Sequence, residues 1–286
     1  MYQGCFVSLV TPFLKSLQID EKRWQELILW HLKEGSQGFV IASDIGEGFF
    51  LTVEEKLNLL KKALEITQKS VPVILETSFQ NTTSCKWLIK QAKALGVDAC
   101  LIELPSYSKE NEEAYFSYFY DLSKMEVPLI MRYSPKEKKW PVQVLRELST
   151  LPHVLGIQEA SGEVALTQAI LSGCHITIFS GHDDMTYSLM QNGAKGSFSV
   201  LANVMPSLGS KLVSSYFNQE YDKALLLQKK YKRLGEMFKV DRQELGVKYA
   251  LSLLDKCLPY TRSTPTPLSE KQQKKIQDFL KNFSFP

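Results

Sequence analysis

Three polar residues stand in or beside short apolar runs, and each brings chemistry of its own. Gln158 lies in Gly156-Ile157-Gln158-Glu159-Ala160-Ser161-Gly162, Arg132 three residues before Pro135, and Asp44 in Ser43-Asp44-Ile45-Gly46-Glu47. A glutamine amide nitrogen is conjugated with its carbonyl. It donates hydrogen bonds but has no basic lone pair with which to attack a carbonyl carbon. An arginine keeps its proton, with a pKa above about 12, so it binds an anion or pairs with a carboxylate rather than shuttling protons. Asp44, Glu76, Glu103 and Glu159 are the candidate internal partners of Arg132, since an unpaired buried charge is strongly unfavourable. An aspartate at position 44 repels carboxylates or caps the following turn, and an isoleucine at 45 packs but cannot relay a proton.

Metal and thiol chemistry finds less support. Cys5, Cys85, Cys100, Cys174 and Cys257 are odd in number and form no CxxC pair, and the four histidines show no HxxxH or HExxH spacing. Buried, inert thiols are expected, with no metal and no cofactor.

Such residues need a scaffold, and the hydrophobic patterning supplies one. Apolar runs at residues 5–10, 38–42, 71–76, 99–104, 128–133, 154–159, 176–180 and 196–200 alternate with helical periods at 20–34, 52–67, 82–95, 111–123, 142–149 and 185–192. Alternation of this kind is the signature of βα units on a parallel sheet, and eight strands suggest closure into a (β/α)8 barrel. Further helical periods at 207–218, 221–238, 243–254 and 269–282 follow the last strand. The first completes the barrel (residues 1–218). The other three form a C-terminal helical appendage (219–286) belonging to the same structural unit.

The composition fits one large core: 286 residues, 44% hydrophobic, and a net charge of +3 from 34 basic and 31 acidic side chains spread along the chain. That balance gives no field for nucleic acid or anionic lipid. No basic segment followed by a long apolar stretch opens the chain and no 18 apolar residues run together, so a cytoplasmic location is expected.

Several segments, in order across nearly the whole chain, resemble the dihydrodipicolinate synthase and N-acetylneuraminate lyase family. They are Val10-Thr11-Pro12-Phe13, Gly46-Glu47-Gly48, Leu104-Pro105-Ser106-Tyr107, the glycine-flanked run around Gln158, Ser180-Gly181 with Asp183-Asp184, and Gly193 to Ser199 with Asn203. The resemblance implies class I aldolase chemistry on a keto acid at the C-terminal mouth of the barrel. A lysine on the sixth strand would form a Schiff base, and a fifth-strand tyrosine would shuttle protons, supported by a hydroxyl from the loop after strand two. It also implies that Tyr107 reaches across a subunit interface.

This sequence departs from the family pattern at the positions that matter. Gln158 occupies the lysine position, Arg132 the tyrosine position, and Asp44 and Ile45 stand where hydroxyl or small polar residues are usual. Tyr133 is adjacent to Arg132 but faces the other side of its strand. Lys195 belongs at the far end of the barrel, Lys248 to a later helix, and Lys136, Lys138 and Lys139 to a solvated loop, so none replaces the missing lysine. The expectation is a family member without imine-forming activity, its pocket (Ser43, Asp44, Tyr107, Arg132, Gln158, Phe198) retained for a small polar or anionic molecule such as a keto acid, or recast for other chemistry. The alternatives are an active synthase or lyase with an unusual site, and a structural or regulatory subunit. A homodimer or homotetramer is expected in each case.

Overall fold

A chain whose strands are apolar on both faces must cover both, and a barrel wrapped in helices does so. The computed structural model describes residues 2–78, 81–103, 112–134, 141–238, 242–264 and 266–283. Its strands are β1 (Gly4–Ser8), β2 (Phe39–Ile41), β3 (Val73–Glu76), β4 (Ala99–Glu103), β5 (Leu129–Tyr133), β6 (Val154–Glu159), β7 (Thr177–Ser180) and β8 (Gly196–Ser199). They pair in parallel, in chain order, and β1 closes on β8. Between and after them run α1 (Glu21–Lys33), α2 (Val53–Thr67), α3 (Thr82–Leu95), α4 (Glu112–Ser123), α5 (Val142–Ser149), α6 (Val164–Leu171), α7 (Thr186–Gln191) and α8 (Pro206–Phe217). Three more helices, α9 (Tyr221–Gly235), α10 (Gln243–Leu253) and α11 (Glu270–Asn282), end the chain. The (β/α)8 barrel with a C-terminal helical extension is therefore the fold.

Local chemistry sets the element boundaries. Thr52 and Glu55 form a reciprocal cap at the start of α2, and Asn81 caps α3, which ends on Gly96 in the left-handed region (φ 84°). The first strand stops at Ser8, short of the apolar run, because the Asn203 side chain takes the next backbone groups. Its Oδ1 accepts from Val10 N at 3.0 Å and its Nδ2 donates to Ser8 O at 2.6 Å, tying β1 to the segment after β8. Helix α6, with no side-chain cap at Glu163, gave no such signal in the sequence.

Strand alternation divides the core in two. Val7, Ile41, Leu75, Ile102, Met131, Ile157 and Ile178 face the helices in one outer cluster that also takes in Tyr231, Val247 and Ile276 from the last three helices. Phe6, Val40, Ile74, Ala99, Leu101, Ile130, Phe179 and Phe198 fill the barrel interior. There the Phe179 and Phe198 rings stack at 4.8 Å and Phe6 meets both edge-on or tilted at 5.4 and 5.5 Å. Gly38 makes room for this plug, since a Cβ there would lie 2.3 Å from the Phe6 ring.

Candidate functional site

The aromatic plug closes the barrel from below, so the side chains at the strand ends above it line a mouth. Register fixes the neighbours. Arg132 on β5 pairs with Gln158 on β6 and with Glu103 on β4, and Gln158 pairs with Phe179 on β7. A cavity of about 280 Å³ opens here, lined by Ser43, Asp44, Glu76, Arg132, Gln158 and Phe198 among others. Ile45 and His182 border it, and Glu244 reaches it from α10.

The loop after β2 carries two of these residues and is held by its backbone. Gly48 N donates to Ser43 O (3.0 Å), Glu47 N to Asp44 O (2.9 Å) and Thr11 Oγ1 to Gly46 O (2.7 Å). A Cβ on Gly48 would sit 1.8 Å from Ala42 O, so this turn requires glycine.

Arg132 is the electrostatic centre of the site. Nη1 donates to Glu76 Oε1 at 3.1 Å and Nη2 to Asp44 Oδ2, so two of its four sequence candidates are its partners. Glu159 is not one of them: it faces away from the barrel interior and accepts from the Ser161 backbone N–H at 2.6 Å and from its hydroxyl. Burial alone would lower the Arg132 pKa, but the fields of Glu76 and Asp44 outweigh it and hold it above its ordinary value. Burial pushes Glu76 up to about 7 against the opposing pull of Arg132, with Asp44 and Glu103 adding to the rise and Lys56 reducing it.

Gln158 lies 8% exposed with Oε1 unpartnered, and the Ser43 hydroxyl (6% exposed), Glu76 Oε2 and Arg132 Nε are also buried without a partner among the described residues. Tyr107, Pro135, Lys136, Lys138 and Lys139 lie outside the described residues. Tyr133 points outward into the helix-facing core, as strand alternation requires.

Lys248 is engaged elsewhere. It is fully buried, donates to Glu47 Oε1 at 2.5 Å and Tyr260 O at 3.0 Å, and sits 4.1 Å above the Phe13 ring. The other oxygen of Glu47 accepts from Arg262 N (2.7 Å) and Ser263 N (2.8 Å), strapping the loop after β2 to the segment after α10. Sequence reasoning missed Glu47 as an ion-pair partner, and it missed Lys56, a buried lysine of α2 whose pKa burial lowers. Neither Lys56 nor Lys248 lines the cavity. Among the described residues no group of His, Cys, Asp or Glu is arranged to hold a metal ion, and no helix is long and apolar enough to cross a membrane.

A closed eight-stranded barrel with a polar mouth at its strand ends defines a (β/α)8-barrel protein with a ligand-sized cavity, and the sequence comparison narrows it. Residues 1–283 match the Dihydrodipicolinate synthetase family, and the chain belongs to that family. A 4-hydroxy-tetrahydrodipicolinate synthase of Thermodesulfovibrio yellowstonii is 30% identical over 287 residues, 99% of this chain and 98% of its own length. A chloride-inhibited dihydrodipicolinate synthase from Acinetobacter baumannii, solved with pyruvate, is 28% identical with a TM-score of 0.93 over 98% of each chain. The Aquifex aeolicus synthase superposes with a TM-score of 0.94 over 100% of this chain and 99% of its own. At 24% identity, that match speaks for the fold alone.

Proposed function

We propose that this protein keeps the family's barrel mouth as a pocket for a small polar molecule held without a covalent bond, and that it does not form a pyruvate Schiff base. The observation that carries this reading is Gln158, buried at the cavity wall on the sixth strand with an amide where an imine needs an amine. The surroundings support it. Arg132, paired with Asp44 and Glu76, has no proton to give at neutral pH, and the loop after β2 offers Ile45 beside a single hydroxyl, Ser43. An anionic ligand such as a keto acid would meet an Arg132 whose two Nη atoms each already donate to a carboxylate, with Nε the guanidinium nitrogen that has no partner among the described residues.

The second reading, an active synthase with an unusual site, rests on the 30% identity to curated synthases across the full chain. It requires an amine that reaches the cavity; among the described residues no lysine lines it, and Lys248 is locked to Glu47.

Imine chemistry passes through an enamine and exchanges the methyl protons of pyruvate with solvent. In D2O, NMR of pyruvate with this protein is expected to show exchange no faster than in buffer. Protein-dependent exchange would overturn the reading.

A further inference from the structure

The cavity at the barrel mouth offers carboxylates and acceptors to whatever enters it. Arg132 is its sole lysine or arginine among the described lining residues, and its two Nη atoms already donate to Glu76 and Asp44. One guanidinium between two carboxylates leaves no net positive charge for a third. Lys56 offsets part of the charge on Glu76 but does not line the cavity. Glu244 adds another carboxylate to the wall, its Oε1 accepting from the Ser263 hydroxyl at 2.8 Å and lying 3.7 Å from Nη1 of Arg242, a half-exposed guanidinium outside the cavity lining.

Two of the four unsatisfied atoms at the cavity, Gln158 Oε1 and Glu76 Oε2, point the same way, while Arg132 Nε is a donor. Gln158 Oε1 and Glu76 Oε2 belong to side chains at least nine-tenths buried and lack a donor among the described residues, and the equally buried Ser43 hydroxyl, which can accept or donate, has no partner there either. An ammonium group supplies three donors and needs no donor in return, whereas a carboxylate supplies none. Phe198 contributes an aromatic ring to the wall.

Building on the non-covalent reading above, we propose that this cavity selects a small protonated primary amine over a carboxylate, with Asp44, Gln158 and Glu244 as the recognising groups. A second cavity of about 240 Å³ adjoins it through Gly181, His182, Val200 and Gln243. Its charged lining is Asp183, Asp184 and Glu236 against Lys232. A short diamine therefore fits the pair of cavities better than a monoamine does.

The test is calorimetric titration at about pH 7.5, where alkylamines are protonated, with 1,4-diaminobutane, propylamine, propionate and pyruvate. Both amines are expected to bind at least about tenfold more tightly than either acid, the diamine more tightly still. Asp44→Asn and Glu244→Gln should each weaken amine binding without weakening that of the acids. Acids binding as tightly as the amines, no heat from either amine, or amine affinity unmoved in both variants would overturn the proposal. Borohydride separates the two readings: pyruvate that binds more tightly than the amines without a reducible adduct sinks this inference alone, and a reducible adduct sinks both.

Discussion

Arg132 shows how one charged side chain organises a site. A guanidinium within the barrel mouth has to find carboxylates, and Asp44 and Glu76 supply them, one partly exposed and one buried. Replacing it by methionine leaves Glu76 buried without its cation, so Arg132→Met is expected to lower stability by about 3 kcal/mol at about pH 8. The deficit depends on pH in a definite direction. Burial raises the folded-state pKa of Glu76 to about 7, with Asp44 and Glu103 adding to the rise and Arg132 and Lys56 opposing it. A carboxyl raised on folding contributes stability that is full below its unfolded value of about 4.3 and is lost as pH rises through the folded value. Without Arg132 that value climbs further, so the variant's deficit should be greatest above pH 7 and shrink towards about pH 5, where Glu76 is protonated in both proteins. Urea unfolding across that range checks it, and a deficit independent of pH would show that Glu76 is not the group left exposed to the loss.

Among the elements, the loop after β2 and the segment after α10 are one construction. Glu47, in the left-handed region at φ 57°, turns its carboxylate onto Lys248, Arg262 N and Ser263 N. Lys248→Met would strand a buried carboxylate and is expected to cost about 3–5 kcal/mol. Faster proteolysis of the segment around Arg262 should accompany the loss. Unchanged stability would mean that Glu47 is satisfied by the two backbone amides alone.

That contact was invisible in the sequence, because its partners are 201 residues apart and neither lies in a periodic pattern that would pair them. Local signals were far more legible. The sixth strand and α3 and α5 have the bounds that their sequence indicates: a short apolar run marks the strand, an Asn81 cap and a terminal glycine mark α3, and Pro141 precedes α5. The pairing of Arg132 with Gln158 was also readable, because adjacent barrel strands with fixed inward positions bring them into register. What sequence could not decide was which carboxylates Arg132 would choose, a matter of side-chain reach across three strands.

For the whole molecule, stacked Phe116 and Tyr120 on α4 and Trp87 on α3 leave large apolar side chains in solvent, on helices joined by the Lys86–Asp121 ion pair. We propose that this face is covered by a second copy in a closed, symmetric assembly. Light scattering at micromolar concentration is expected to give a dimer or tetramer, and Phe116→Glu to shift it towards the monomer. A wild-type monomer would contradict this.

The central claim concerns a single bond that Gln158 cannot make. Incubating the protein with pyruvate and borohydride, then weighing the intact chain by mass spectrometry, tests it directly. An unmodified mass is expected, whereas a stoichiometric reduced adduct on any lysine would show that imine chemistry survives without a lysine at position 158.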